Sequence, residues 1–131
     1  MSRPDPLEVV SAFHTHLNAR AVDDLLKLAV DDVKVGGPRG TGTGRALLAE
    51  WVNRASITLT PQRWFRSDDT VVVEQRATWH NDAGEENGSQ VVATVFGFTD
   101  GKIASIARYG FLGEAVNSVD MDETHEIPAP E

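Results

Sequence analysis

His14 and His16 stand two residues apart in VVSAFHTHLN. On a helix that spacing turns them to different faces, so the two imidazoles cannot grip one metal ion. His80 and His125 lie far off, there is no HExxH, and the chain has no cysteine. No metal site is expected, and neither a disulfide nor a thiol nucleophile exists. His14, beside Phe13, is a candidate base if it points inward and an ordinary helix-surface histidine if it does not. The pairs Asp23-Asp24 and Asp31-Asp32 read as solvated helix ends, with Asp32 the better acid–base candidate because it abuts a short strand, VKV. GTGTG, residues 40–44, has neither the lysine of a P-loop nor a downstream acid in a dinucleotide context. Backbone N–H groups there, with Arg39 and Arg45, would suit a carboxylate or sulfate. The glycines equally serve to let the chain turn, with Thr43 as a helix cap. Arg108 is the remaining reactive group of interest. In an apolar setting its guanidinium needs a carboxylate, from Asp31, Asp32 or a ligand, unless it reaches out to solvent and backbone carbonyls.

The elements that would position these groups are legible from periodicity. Val9, Val10, Phe13 and Leu17 recur at helical spacing from about Asp5 to Asn18. A second helix is expected over AVDDLLKLAVDD, with Val22, Leu25, Leu26, Ala29 and Val30 on one stripe. VKV and a loop with five glycines, Gly36 to Gly44, then lead to a third helix over Arg45 to Arg54. From Ser56 the chain becomes β-branched and aromatic. ITLTPQRWFRS, TVVVEQRATWH, SQVVATVFGFT and KIASIARYGFL read as four strands of a meander, divided by turns at Ser67-Asp-Asp, Asn81 to Gly88 and Thr99-Asp-Gly. Three helices followed by antiparallel strands predict an α+β domain.

Val71-Val-Val and Val91-Val-Ala-Thr-Val-Phe place apolar groups on both faces of that sheet, and three helices cover only one. An identical subunit in a two-fold dimer is the economical cover for the other, with Glu74, Arg76 and Thr78 as its polar contacts. The 131 residues carry a net charge of −8, which disfavours nucleic acid. The segment after Val119 holds −5 of that charge and ends PAPE. It reads as an acidic disordered tail, residues 119–131, on a domain of residues 1–118. No secretory signal and no long apolar run appear, so no membrane partner and a cytoplasmic location are expected.

This order of elements resembles the nuclear-transport-factor-2-like superfamily, which includes SnoaL-like polyketide cyclases and ketosteroid isomerases. VVSAFHTHLNARAVDDLLKLAVDDVKV, GPRGTGTGRALLAEWV and FTDGKIASIARYGFLGEA carry the resemblance, over roughly residues 7–118. It implies a cone-shaped curved antiparallel sheet, with the three N-terminal helices packed on its concave face around an apolar cavity, and chemistry without a metal or organic cofactor. It also places Trp51 at the cavity wall and Thr94 and Ile106 inside. Ketosteroid isomerase needs a carboxylate base, a tyrosine and a protonated aspartic acid. The matching positions here are Gly37, Phe13 and Thr94. That particular reaction is therefore not expected.

Which side chains face the cavity turns on the last hairpin. A two-residue Asp100-Gly101 loop pairs Phe98 with Ile103 and puts Thr94 and Arg108 on opposite faces. A three-residue loop pairs Phe98 with Lys102 and puts Val92, Thr94, Phe96, Ala104, Ile106 and Arg108 together, which agrees with the resemblance and is favoured. Trp79 shares a strand face with Val73, Gln75 and Ala77, while Trp64 has no face assignment. The candidate ligand-binding set is therefore Phe13, Leu17, Trp51, Gln75, Trp79, Thr94, Phe96 and Arg108, with Arg108, Asp32 and His14 as candidate catalytic groups. The expected function is binding of a hydrophobic small molecule bearing a carbonyl or carboxylate, with cyclase, isomerase or hydrolase chemistry if there is turnover. A non-catalytic dimerisation or sensing module is the alternative, favoured if Trp and Phe side chains fill the interior.

Overall fold

The computed structural model describes residues 5–37, 40–54, 57–81 and 83–129. Helix α1 spans Pro6–Asn18. Asp5 caps it by accepting from the Leu7 N–H at 2.9 Å, and Pro6 occupies the first helical turn, where its missing N–H costs nothing. Val9, Val10, Phe13, His14 and Leu17 form its buried face. At its C-terminal end Asn18 donates to the Leu59 carbonyl at 2.9 Å and accepts the Leu59 N–H at 3.0 Å. A side-chain amide thus stands in for a neighbouring strand on strand β3, Ile57–Ser67. Asn18→Ala removes both bonds, and a loss of about 1–3 kcal/mol is expected in denaturant unfolding. An unchanged midpoint would show that water replaces the amide at no cost.

Helix α2 is only Val22–Leu26, and the predicted second helix stops there. Ala29, Val30, Asp31 and Asp32 belong instead to strand β1, Ala29–Gly37. Lys27 and Leu28 form the turn between them, and Ile103 N–H reaches the Leu28 carbonyl at 2.8 Å. The glycine segment is also more ordered than a loop, since Gly40–Thr43 forms strand β2, antiparallel to β1. A Cβ at Gly42 would lie 2.1 Å from Leu47 Cδ2, so the glycine there admits helix α3, Arg45–Arg54, against the sheet edge. Arg45 fastens that helix to β1 by donating to the Ala29 carbonyl through Nε (3.1 Å) and Nη2 (2.6 Å), with Nη1 2.8 Å from Asp31. Pro38 and Arg39 lie outside the described residues.

Strands β3, β4 (Thr70–His80), β5 (Glu86–Thr99) and β6 (Lys102–Tyr109) form the expected meander. The sheet they build corrects the predicted cone. Its order is β2-β1-β6-β5-β4-β3-β7, with β1 parallel to β6, so it is mixed rather than antiparallel. Its two ends, β2 and β7, remain unpaired with each other, so the sheet is open and does not close or curl into a cone. The α+β class and the three N-terminal helices stand.

The last hairpin combines the two registers expected of it. Thr99 pairs with Lys102 and Phe98 with Ile103 around a two-residue turn, with φ of 52° at Asp100 and 80° at Gly101. Both signs suit a type I′ turn. A register shift between Gly97 and Phe98 then leaves one extra residue on β6, and Phe96 faces Ile106 while Thr94 faces Arg108. The turn is the disfavoured one. The bulge restores the favoured facing of Thr94, Phe96, Ile106 and Arg108.

One face of the sheet, with α1 to α3, encloses the main core, including Phe13, Leu17, Leu48, Trp64, Val73, Phe96 and Ile106. The opposite face is covered by the chain itself. Helix α4, Leu112–Ser118, lays Ala115 on Phe65, Val72, Ala93 and Val95, and Met121 joins them at 4 % exposure. Apolar groups on both sheet faces therefore have an intramolecular explanation, which removes the reason for invoking a second subunit over that part of the sheet. Residues 120–127, expected to be a solvated tail, fold back through a 3-10 turn (Glu123–His125) to strand β7, Glu126–Ile127, paired with Trp64 and Phe65 of β3. Arg63 donates to both Glu126 oxygens, at 2.9 and 2.8 Å, and holds that carboxyl below its usual range. Composition alone misses this, because one buried residue, Met121, one half-buried residue, Ile127, and one fork-to-fork ion pair suffice to seat the segment.

Candidate functional site

Six of the candidate residues meet in the main core. Phe13 and Phe96 pack edge to face with ring centroids 5.1 Å apart, and Leu17 is fully buried beside them. The His14 ring lies 5.7 Å from Phe13, 6.1 Å from Phe96 and 6.0 Å from Trp64, which settles the face of that tryptophan. His14, Gln75 and Thr94 are buried, and they form one hydrogen-bonded chain. His14 Nδ1 lies 2.8 Å from the Val10 carbonyl, which only accepts, so the proton belongs on Nδ1. Nε2 is then a lone pair, 2.8 Å from the Gln75 amide nitrogen, which donates to it. Thr94 Oγ1 donates to Gln75 Oε1 at 2.7 Å. Among the described residues no buried side-chain nitrogen or oxygen lacks a partner.

The chemistry of that chain is conservative. Burial lowers the His14 pKa to about 4, against the smaller raising effect of its bond to Val10, so the ring is neutral near pH 7. Its lone pair already accepts from Gln75, and the ring is sealed from solvent. A base in that condition cannot abstract a proton from a ligand without first breaking the network. Gln75 and Thr94 are likewise occupied by one another.

Arg108 stands apart from this closed interior. It faces Thr94 in the β5–β6 ladder and is half-buried, and its guanidinium lies over the Trp51 ring, Cζ 5.6 Å from the centroid. Burial lowers its pKa, and no carboxylate counters that effect. The expected partners do not pair with it: Asp31 binds Arg45, and Asp32 is exposed and forms no ion pair with Arg108. Since β1 pairs Gly36 with Ala107, its next residue, Gly37, comes level with Arg108 and brings no side chain. Trp51 and Trp79 both pack on the main core while half-exposed. Trp79 pairs with Ile57 and Gly88, six residues along β4 from Val73, the partner of Thr94. It therefore belongs to the other end of the sheet. A surface hollow of about 310 Å³ lies at another place again, between Asp5, Pro6, Arg66, Asp69, Phe98, Asp100 and Gly101, and takes in none of the candidate residues.

The sequence offers His14, Gln75 and Thr94 as separate candidates, and nothing in their spacing shows that they bond to one another. Among the described residues, no group of three or more His, Asp or Glu could hold a metal ion, and no helix is long and apolar enough to cross a membrane.

A family profile described as "SnoaL-like domain" matches residues 10–106, well over half of the chain. The chain belongs to the SnoaL-like domain family. Solved structures agree with this SnoaL-like assignment at the level of fold. An NTF2-like protein of unknown function from Cytophaga hutchinsonii superposes with a TM-score of 0.73 at 14 % identity, covering 87 % of this chain and 96 % of the other. SalBIII, an epoxide hydrolase/cyclase-like enzyme of pyran ring formation in salinomycin, gives 0.72 at 21 % identity, covering 82 % and 92 %. A Mycobacterium tuberculosis protein solved with estradiol-17beta-hemisuccinate gives 0.72 at 16 % identity, covering 84 % and 97 %. No curated protein matches the chain. What the SnoaL-like domain shares with these three structures is the fold.

Proposed function

We propose that this SnoaL-like domain binds a hydrophobic small molecule through a carbonyl or carboxylate, at the place where Arg108 lies over Trp51. The observation that carries the reading is a half-buried guanidinium with an aromatic face and no carboxylate partner among the described residues. An isolated cation held part-way out of water is costly unless something compensates it. A ligand is the economical compensation, and the indole offers apolar contact beside the polar anchor. The estradiol hemisuccinate of the mycobacterial relative joins a hydrophobic body to a carboxylate, which is the same pairing of chemistry.

Binding is better supported than turnover. Arg108 would stabilise developing oxyanion charge in a cyclase, isomerase or hydrolase reaction. The described residues around it supply no base: Gly37 has no side chain, His14 is sealed and Asp32 is exposed. The filled interior, with Phe13, Phe96 and Trp64 packed around His14, favours the second reading, a non-catalytic module with no deep cavity. A thermal-shift screen with aromatic and isoprenoid acids and ketones separates the two. Several degrees of stabilisation are expected for the native chain, largely lost in Arg108→Gln. A flat screen, or an identical profile for the variant, would leave the binding proposal without support.

A further inference from the structure

We infer that the Arg108 site selects an anionic, carboxylate-bearing ligand over a neutral carbonyl one. The inference rests on the binding reading above and narrows it. Arg45, Arg63 and Arg66 each hold a carboxylate, from Asp31, Glu126 and Asp5 respectively. Arg108 has none among the described residues, in a chain whose acidic residues exceed its basic ones by eight.

The neighbours of Arg108 explain why. Thr94, its ladder partner, gives its hydroxyl to Gln75, and Gly37 on the β1 side has no side chain to give. Trp51 takes up a face of the guanidinium with an aromatic ring, which satisfies no N–H donor. No described buried nitrogen lacks a partner, so the unbonded Arg108 nitrogens reach solvent and are accessible to a ligand. Desolvation without a compensating charge also weakens the hold of Arg108 on its own proton.

A carboxylate answers both deficits, because it brings the missing charge and accepts two parallel N–H bonds from the planar fork. A ketone or amide oxygen brings one acceptor and no charge. Charge-assisted bonds are roughly twice as strong as neutral ones, so a preference of about tenfold or more follows for an acid over its neutral counterpart. The same site would release such a ligand as salt rises, since the unbonded guanidinium nitrogens reach solvent.

The test compares 2-naphthoate with 2-naphthamide on the full chain, following the Arg108 Nε–Hε resonance by NMR and the affinities by calorimetry. Naphthoate is expected to move the Arg108 resonance and to bind at least about tenfold more tightly than naphthamide. Arg108→Gln should abolish the preference. Arg108→Lys, which keeps the charge but not the fork, should retain part of it and serves if the glutamine variant does not fold. Equal affinities for the two probes in the native chain would overturn the anion preference and leave the binding reading standing. A preference that survives in Arg108→Gln would overturn the assignment to Arg108. If neither probe binds or moves the resonance, the binding reading itself fails.

Discussion

Gln75→Leu is expected to destabilise the fold by about 2–5 kcal/mol, although leucine is close to glutamine in size. Gln75 is fully buried, and its amide joins the lone pair of His14 to the hydroxyl of Thr94. Removing it leaves two polar groups in the core with nothing to bond to, and each such group costs about 1–3 kcal/mol. The penalty lies in the stranded groups more than in the lost bonds. The triple variant His14→Leu, Gln75→Leu, Thr94→Val should therefore recover most of the stability, because it leaves no stranded partner. Urea unfolding of the single and triple variants checks this. If Gln75→Leu unfolds at the native midpoint, water has entered the site and the network is not sealed.

The second large effect is an acid instability centred on His14. Its pKa is lowered to about 4 in the folded chain, from the 6.5 of an ordinary imidazole, because burial disfavours the imidazolium. Between those values the unfolded chain binds a proton that the folded chain does not, so stability falls as pH falls. The contribution is fully present above about pH 6.5 and is lost on the way down to about pH 4, where it levels off. A shift of that size corresponds to roughly 3 kcal/mol. Unfolding midpoints across that window should show the slope, and His14→Gln, whose amide oxygen can accept from Gln75, should flatten it. A slope that persists in the variant would assign the acid sensitivity to other groups. The carboxyls of Asp122 and Glu126 are also held below their usual range, and their loss follows at lower pH.

Much of the fold is visible in the sequence because one-dimensional periodicity dictates it. The spacing of Val10, Phe13 and Leu17 specifies the buried face of α1, and the β-branched runs specify β3 to β6. The errors lie where a local pattern is ambiguous or the decisive contact is remote. Ala29 and Val30 continue the apolar stripe of α2, yet they belong to β1, where Ala29 pairs with Ile103 of β6, some seventy residues away in sequence. That parallel pairing has no short-range signature, and the expected antiparallel cone fails on it. Leu112, Ala115, Val116 and Val119 do recur at helical spacing. The acidity of the following residues hid that pattern, and with it the cover of the second sheet face.

The candidate site divides the same way. Arg108 is recognisable because a cation in an apolar strand demands a partner, while alternation leaves two registers open and only the family resemblance favours the one that sets it beside Thr94. The bulge that makes that placement compatible with a two-residue turn is not recognisable. Phe13, Leu17, Gln75, Thr94 and Phe96 are buried in a packed core that they themselves fill. Whether residues line a cavity or plug it depends on the summed volume of side chains from four or more elements, which no sequence pattern encodes.

On the reading proposed above, Arg108 and Trp51 act as one binding unit. A double-mutant cycle on 2-naphthoate affinity, with Arg108→Gln, Trp51→Leu and the pair together, tests it most directly. Each single change is expected to weaken binding, and the double variant to lose less than their sum, with a coupling of about 1 kcal/mol. Strict additivity, or a single variant that binds as the native chain does, would contradict it.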